Sequence, residues 1–205
     1  MSTISIIGAG NMAAAIGTRA AQHGYKVEFM SRDAVKAEAL ARQVGGAATV
    51  GEFGARPAGD IVIVAVLYAS AVDVVKRFGD ALEGKILVDI TNPFNADGSG
   101  LVTSAGDSVT EQLAAVAPAS AHVVKAFNML FRGVVADGKP VDVFFAGSSA
   151  EARGRVATFL ESLDMRPVDA GGIELAHALE WAGLLLVGLA RNGSGFDLAL
   201  SAAVR

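Results

Sequence analysis

The sequence predicts an α/β protein with a Rossmann-type doubly wound, mostly parallel sheet and a C-terminal helical segment. Short runs rich in β-branched residues alternate with longer alanine-rich stretches of helical spacing, an order typical of βαβ units. A glycine-rich turn follows the first run directly, and an apolar helix-like stretch closes the chain. We therefore expect a sheet domain over residues 1–170. A C-terminal helical segment over residues 171–205 would cover a site, form a dimer contact or do both.

The predicted strands are almost continuously apolar, as strands are when helices cover both faces of a parallel sheet. Six runs have this character: Thr3–Ile7, Lys26–Met30, Asp60–Val66, Lys85–Ile90, Ala121–Ala126 and Val141–Ala146. Weaker strand candidates are Ala47–Val50 and Arg166–Asp169. Helical spacing predicts helices between these runs, at Asn11–His23, Asp33–Val44, Ser70–Phe78, Ser108–Ala117 and Ala150–Leu163.

Two further segments complete the predicted organisation. Residues 95–106 are rich in Asp, Gly and Ser, which predicts a surface loop. Residues 173–192 form a predicted helix that is apolar nearly all round. A helix without a polar face is expected to be buried, here against the sheet domain or a partner subunit, and the commonest soluble oligomer is a homodimer.

Composition excludes several functional classes. The 205 residues include no cysteine, which excludes a disulfide scaffold, a thiolate nucleophile and any Cys-ligated metal. Positive charge is not clustered and the net charge is −4, so we expect no nucleic-acid partner. The start has no basic signal region, and the run Trp181–Ala190 is shorter than the roughly 20 residues of a membrane span. We therefore expect a cytoplasmic protein without a membrane partner.

The glycine-rich turn predicts a dinucleotide-binding domain. The first strand leads straight into Gly8-Ala9-Gly10-Asn11-Met12-Ala13, a G-x-G-x-x-A pattern that opens a helix. Gly8 makes the tight turn, Gly10 leaves room for a pyrophosphate at the helix N-terminus, and Ala13 allows close helix–strand packing. The pattern is specific because the strand, the helix and the second strand surround it.

Residues at the end of the second strand favour NADP over NAD. An NAD enzyme usually has an acidic residue here for the ribose 2′-hydroxyl. This chain instead has Ser31 and Arg32, whose hydroxyl and guanidinium suit a phosphate, and Lys36 follows one helical turn later. Asp33 is expected to cap the next helix and to face its backbone.

The chain resembles the NADPH:coenzyme F420 oxidoreductase family along nearly its whole length. It is also similar to the NADPH-binding domain of the membrane metalloreductases. The segments that carry the resemblance are Ile6–Ala13, Ser31-Arg32, Gly84-Lys-Ile-Leu-Val-Asp-Ile-Thr-Asn-Pro93, Val123-Val-Lys-Ala-Phe-Asn128, Arg166–Ile173 and Arg191–Gly195.

The resemblance implies hydride transfer between NADP(H) and the deazaflavin coenzyme F420. By analogy, Gly8, Gly10, Asn11 and Met12 hold the pyrophosphate, while Ser31, Arg32 and Lys36 hold the 2′-phosphate. The nicotinamide side would be lined by Val66, Leu67, Asn92, Pro93, Ala126, Phe127 and Asn128. The loop Asn192–Gly195 would help to cover the second ring system.

Two alternative functions stay open from the residues alone. One is an NADPH-dependent reductase of a flavin, a ferric or a small imine acceptor, and the other is an NADP-binding sensor without catalysis. Hydride transfer between two cofactors needs orientation more than proton transfer, so no catalytic side chain is expected. His23, His122 and His177 lack metal-ligand spacing, so no metal site is expected. Lys125 and Tyr68 could orient a cofactor or serve the structure alone.

Overall fold

The computed structural model describes residues 2–104 and 106–203. Met1, Ala105, Val204 and Arg205, which belong to the predicted domain, loop and C-terminal segment, lie outside the described residues. Within these described residues, eight strands form one sheet in the order β3-β2-β1-β4-β5-β6-β7-β8. They are β1 Thr3–Ile7, β2 Lys26–Met30, β3 Thr49–Gly51, β4 Ile61–Val64, β5 Ile86–Asp89, β6 His122–Lys125, β7 Asp142–Gly147 and β8 Arg166–Gly171.

The first six strands run parallel, so their carboxyl ends meet at one edge of the sheet. The strand order reverses between β1 and β4, which makes this the point where an open α/β sheet forms a ligand crevice. β7 pairs with β6 in the antiparallel direction, and β8 follows β7 in parallel. The sheet is therefore mostly parallel, and the predicted fold class is confirmed.

Helices cover both faces of the sheet. They are α1 Asn11–Gln22, α2 Ala34–Val44, α3 Tyr68–Phe78, α4 Val109–Val116, α5 Arg132–Ala136, α6 Ala150–Glu161 and α7 Ala176–Leu189. Buried residues of α1, α2, α5 and α6 form one apolar core with the sheet, and those of α3 and α4 form the other. Both weak strand candidates are strands, and Asp33 and Ser149 accept backbone N–H bonds as N-caps.

Residues 173–192 are buried on one face only within the chain, so their expected burial against a partner subunit stays a prediction. Short 3₁₀ geometry at Ile173–Leu175 precedes α7, whose inner face packs against β7 through Leu179 and Leu186. The outer face leaves Trp181, Leu185 and Leu189 exposed by 53%, 56% and 40%. Within the described residues, Ile173–Ser194 is one helical stretch long and apolar enough to meet the length and composition of a membrane span.

The C-terminal tail returns to the start of β7 and is held there by Asp142. This carboxylate is 4% exposed, and it accepts hydrogen bonds from Ser201 Oγ at 2.8 Å and the Ala202 N–H at 2.7 Å. Arg166 Nε donates to its other oxygen. Burial alone would raise the pKa of Asp142, but these hydrogen bonds and the Arg166 charge outweigh burial and lower it.

We expect Asp142→Asn to lower the free energy of unfolding at pH 7 by about 1–3 kcal/mol, because a buried charge-assisted network loses its acceptor charge. A carboxyl whose folded pKa is lowered contributes stability above its ordinary pKa and loses it as pH falls through the folded value. The difference in unfolding free energy between wild type and Asp142→Asn should therefore shrink as the pH falls below 3.8, the ordinary pKa of an aspartate. Urea unfolding at pH 7 and pH 3 measures it. Asp73→Asn, an exposed control, should change stability by less than about 0.5 kcal/mol, and an equal difference at both pH values would contradict the account.

Candidate functional site

A cavity of about 730 Å³ lies at the carboxyl edge of the parallel strands, where the strand order reverses. Its walls come from the turn after β1, the end of β2, the segment between β4 and α3, and the segment after β5. The lining residues are Gly8, Ala9, Gly10, Asn11, Met12, Ser31, Arg32, Asp33, Lys36, Phe53, Ala65, Val66, Leu67, Tyr68, Ser70, Val74, Ile90, Thr91, Asn92 and Phe94.

Gly8 is required by the sheet itself. Its φ of +130° lies in the region that favours glycine, and its N–H donates to the Met30 carbonyl at 2.8 Å. A Cβ at this position would lie 2.1 Å from the carbonyl oxygen of Ala65, the residue after β4. The turn can therefore pass close to β4 only without a side chain.

Gly10 is required by nothing in the protein, which points to a ligand. It is the N-cap of α1 and has no side chain to satisfy the free N–H groups of the first turn. A Cβ at Gly10 would meet no other atom of the described residues within 4 Å, apart from its chain neighbours, and the residue lines the cavity. The space a Cβ would fill and the positive end of the helix dipole therefore suit a phosphate group.

The end of β2 places a net positive charge at the same cavity. Asp33 Oδ1 accepts the Lys36 N–H at 3.1 Å, and the Lys36 Nζ lies 3.3 Å from Asp33 Oδ2. The hydrogen bond from the Lys36 N–H lowers the pKa of Asp33, so its carboxylate is ionised and partly neutralises Lys36. Arg32 is exposed and forms no ion pair with any residue that the structure describes. Its guanidinium is thus available to an anionic ligand.

The other half of the cavity is mostly apolar. Leu67 stands at its rim with 80% of its surface exposed, and Tyr68, the first residue of α3, lies beside it. Ile90 and Phe94 line the side that follows β5. A flat, largely apolar ring system would cover these side chains from water.

Ten of the fourteen predicted cofactor residues line this one cavity. They are Gly8, Gly10, Asn11, Met12, Ser31, Arg32, Lys36, Val66, Leu67 and Asn92. The other four, Pro93, Ala126, Phe127 and Asn128, are buried and are not among its lining residues. Phe127 also has a positive φ of 61°, which is uncommon for a residue with a side chain.

Asn128 supports the cavity wall from beneath through a reciprocal amide pair with Asn92. Asn92 Nδ2 donates to the Asn128 carbonyl at 2.7 Å, and Asn128 Nδ2 donates to Asn92 Oδ1 at 3.0 Å. The Asn128 amide also donates to the Leu179 carbonyl of α7 at 2.8 Å. Because these bonds occupy the Asn92 amide, the pair fixes this wall and joins it to α7.

The loop Asn192–Gly195, which was expected to cover a second ring, is exposed and does not line the cavity. The preceding Arg191 reaches the predicted surface loop instead and donates to the carbonyls of Asp97 and Gly98. Across residues 2–104 and 106–203, no three acidic or imidazole side chains come together as a metal site.

Sequence reasoning missed a buried ionic cluster behind the cavity. The Lys125 ammonium lies 2.7 Å from Asp89 Oδ2 and 2.9 Å from Glu180 Oε1, and all three side chains have no exposed surface. Burial raises the pKa of Glu180, an effect that the Lys125 charge opposes. The sequence did contain a signal for this cluster. Asp89 and Lys125 each end an apolar strand, and Glu180 lies inside an apolar helix.

Comparison with known proteins agrees with this geometry. Residues 3–93, which carry β1 to β5 and most of the cavity, match the model of the family described as NADP oxidoreductase coenzyme F420-dependent. The predicted family resemblance is confirmed. The match covers less than half of the chain and supports a similarity to this family of NADP oxidoreductases.

Two curated relatives are similar over much of the chain. The F420-dependent NADP reductase of Methanocaldococcus jannaschii is 31% identical over 146 residues, which are 64% of this chain and 62% of that protein. The metalloreductase STEAP3 of Rattus norvegicus is 29% identical over 184 residues, which are 86% of this chain and 35% of that protein. The chain thus spans less than two thirds of the length of either relative.

Solved structures share the fold over nearly the whole chain. A candidate F420-dependent NADP reductase from Arthrobacter sp. FB24 has a TM-score of 0.87 at 25% identity, with 98% of this chain and 99% of that chain covered. An imine reductase from Streptomyces aurantiacus has a TM-score of 0.69 at 17% identity, covering 93% of this chain and 63% of that one. The latter likeness concerns the fold alone.

The two glycines should separate folding from binding. We expect Gly8→Ala to lower the free energy of unfolding by about 2–5 kcal/mol, since the Cβ clashes with the Ala65 carbonyl and the positive φ is strained. Gly10→Ala should change it by at most about 1 kcal/mol, as expected of an N-cap substitution, yet weaken NADPH binding at least about tenfold, equivalent to 1.4 kcal/mol. Denaturant unfolding and calorimetric titration measure both. Unchanged NADPH affinity in Gly10→Ala would contradict the phosphate site.

Proposed function

We propose that the chain transfers a hydride between NADP(H) and the deazaflavin coenzyme F420. The observation that carries this proposal is one cavity with a glycine-lined helix N-terminus and a free Arg32 at one end and an apolar surface at the other. The matched family, whose description names both NADP and coenzyme F420, supports the pairing of these two molecules.

The residues present fit NADP. The backbone at Gly8–Met12 and the α1 N-terminus would hold the pyrophosphate, and Ser31 and Arg32 would hold the 2′-phosphate. Lys36 adds positive charge next to them, shared with Asp33. When bound, the nicotinamide would supply or accept one hydride. In the direction of deazaflavin reduction, the acceptor ring would also take up one proton from solvent, so that the reaction balances as NADPH, oxidised F420 and one proton giving NADP⁺ and reduced F420.

The protein's contribution to the reaction is orientation and exclusion of water. Leu67, Tyr68, Ile90 and Phe94 would cover ring faces, and the fixed Asn92 wall would set the depth at which a ring can lie. Two reactants held in a reactive geometry gain rate without an acid or base. Among the described residues, the side chains that line this half are apolar or uncharged.

The identity of the acceptor is tested by a spectrophotometric screen. Purified protein and NADPH are mixed with oxidised coenzyme F420, a flavin, a ferric chelate or a cyclic imine, and each absorbance is followed. Bleaching of F420 without flavin, iron or imine turnover supports the proposal. Turnover of another acceptor instead of F420 identifies the alternative reductase, and tight NADPH binding without any turnover identifies the sensor.

We expect Arg32→Ala to discriminate between the two nicotinamide cofactors. A hydrogen bond to a charged group contributes on the order of 1.5–3 kcal/mol, so its loss should raise the KM for NADPH by roughly 10- to 100-fold. NADH has no 2′-phosphate and should keep nearly the same KM. Adding Ser31→Asp should widen the difference, because the new carboxylate repels the phosphate and accepts from ribose hydroxyls.

The experiment should be run at two salt concentrations, since a solvent-exposed phosphate contact weakens with ionic strength. Arg42→Ala is the matched control, because Arg42 lies on α2, is exposed like Arg32 and does not line the cavity. Equal losses with NADPH and NADH would show that Arg32 only supports the fold, and no loss with either would remove the NADP assignment.

We also propose that the exposed stripe Trp181, Leu185 and Leu189 on α7 is covered by a second copy of the chain in a homodimer. Leu185→Glu should then convert the dimer to a monomer in light scattering at micromolar concentration, because it places a charge in an apolar contact. Val35→Glu is the matched control, since Val35 is a 72% exposed apolar residue on α2. A monomeric wild-type protein would exclude the dimer.

A further inference from the structure

The ionic cluster formed by Lys125, Asp89 and Glu180 lies where two neighbouring strands end. Asp89 is the last residue of β5 and Lys125 the last of β6, and the parallel register places them opposite each other. Residues in register on parallel strands share a face of the sheet. This face is covered by α4, and Glu180 reaches the same point from α7.

The hydrogen-bonding capacity of the Lys125 ammonium is fully used. Its three donors meet Asp89 Oδ2 at 2.7 Å, Glu180 Oε1 at 2.9 Å and the Thr91 carbonyl at 2.8 Å. The last of these is a backbone group of the segment that lines the cavity. The ammonium therefore holds the cavity wall as well as its two carboxylates.

Both backbone groups of Thr91 are bound to this cluster. Asp89 Oδ1 accepts the Thr91 N–H at 2.8 Å, while Lys125 binds the Thr91 carbonyl. The next residue, Asn92, is held by its amide pair with Asn128. The chain after β5 is thus fixed at two consecutive residues, on the side of the cavity assigned to the nicotinamide.

Helix α4 is tied to the same cluster. Thr110 Oγ1 donates to Asp89 Oδ2 at 2.9 Å, and the Val109 N–H at the start of α4 donates to Glu180 Oε1 at 3.0 Å. One ammonium thus joins β5, β6, α4 and α7 to the backbone of the cavity wall.

Stability alone does not explain such a cluster. Two carboxylates and one ammonium without exposed surface bear a large desolvation cost, and apolar side chains of similar volume often replace buried ion pairs without loss of stability. What apolar side chains would not provide is a set of directed bonds to the Thr91 N–H and carbonyl. The cluster therefore does what apolar side chains could not do: it fixes the position of the Thr91 backbone.

We infer that Lys125 is a positioning residue for hydride transfer, which with Asp89 and Glu180 sets the place of the Thr91–Asn92 wall against the nicotinamide. This inference rests on the proposed function for its reaction but concerns residues that do not line the cavity. A displacement of about 1 Å at a reacting centre can lower a rate roughly 100-fold, so a small shift of this peptide is sufficient to matter.

The test is Lys125→Met, which keeps much of the side-chain volume and removes all three donors. We expect turnover with NADPH to fall roughly 10- to 100-fold. Binding of adenosine 2′,5′-bisphosphate, which has no nicotinamide, should stay within about twofold because its phosphates would meet Arg32 and the α1 N-terminus, away from the Thr91–Asn92 wall. The fluorescence emission of bound NADPH should move toward that of free NADPH, since the ring loses its fixed wall.

Glu180→Gln is the second variant, because it keeps a side chain of the same shape and an acceptor oxygen for Lys125. We expect it to fold and to show a smaller loss of turnover, in the same direction. Arg19→Lys is the matched control, since Arg19 is a 2% exposed cation that donates to four backbone carbonyls away from the cavity. It should lower stability and leave turnover and NADPH emission unchanged.

Loss of turnover and a shifted emission with retained bisphosphate binding supports the positioning role. Unchanged turnover and emission in folded Lys125→Met overturns it, and so does a parallel loss of bisphosphate binding. If Lys125→Met does not fold, the same outcomes in Glu180→Gln decide. If wild-type protein reduces no F420, the proposed acceptor fails, whereas the bisphosphate and emission comparisons still test the positioning of the ring.

Discussion

The close approach of Gly8 to the Ala65 carbonyl is the constraint on which the site depends. It brings the turn after β1 against the end of β4, at the one place where the order of the parallel strands reverses. Because the chain turns there so tightly, α1 begins with its free N–H groups facing the crevice. The cavity, its end at the α1 N-terminus and the direction of α1 depend on this one contact between backbones.

The two ends of the cavity offer a ligand two different kinds of interaction. At the end of β2, Arg32 offers directed, charge-assisted bonds that distinguish a phosphate from a hydroxyl. At the opposite half, Leu67, Tyr68 and Phe94 offer contact surface for packing rather than directed hydrogen bonds. Specificity for the dinucleotide can therefore come from the first end, and exclusion of water from the second. The peptide at Thr91, which the ionic cluster binds through its N–H and its carbonyl, belongs to this second half.

Local sequence predicted the parts of this arrangement that depend on local chemistry. The glycine turn, the Asp33 cap and the cluster of Ser31, Arg32 and Lys36 were all predictable, because each lies within a few residues of the element that positions it. The reversed direction of β7 was not, since an apolar strand has the same pattern in both directions. The ionic cluster was also missed, because Asp89 and Lys125 meet only through the register of two strands and Glu180 comes from a distant helix. The sequence of α7 is apolar on all sides, so its pattern could not show which face packs on the sheet and which stays exposed.

The position of α7 in the chain has a consequence for folding. The eight strands of the described residues all precede it, so the strands can pair without it. Lys125 and Asp89 lie on adjacent strands and meet through that pairing, whereas the Glu180 carboxylate reaches them only when α7 docks. Without α7, Ala146 and Met129 would lose the side chains of Leu179 and Leu186 that pack with them. A folding intermediate with a paired sheet and an undocked α7 would therefore expose apolar surface, and exposed apolar surface makes an intermediate prone to aggregate.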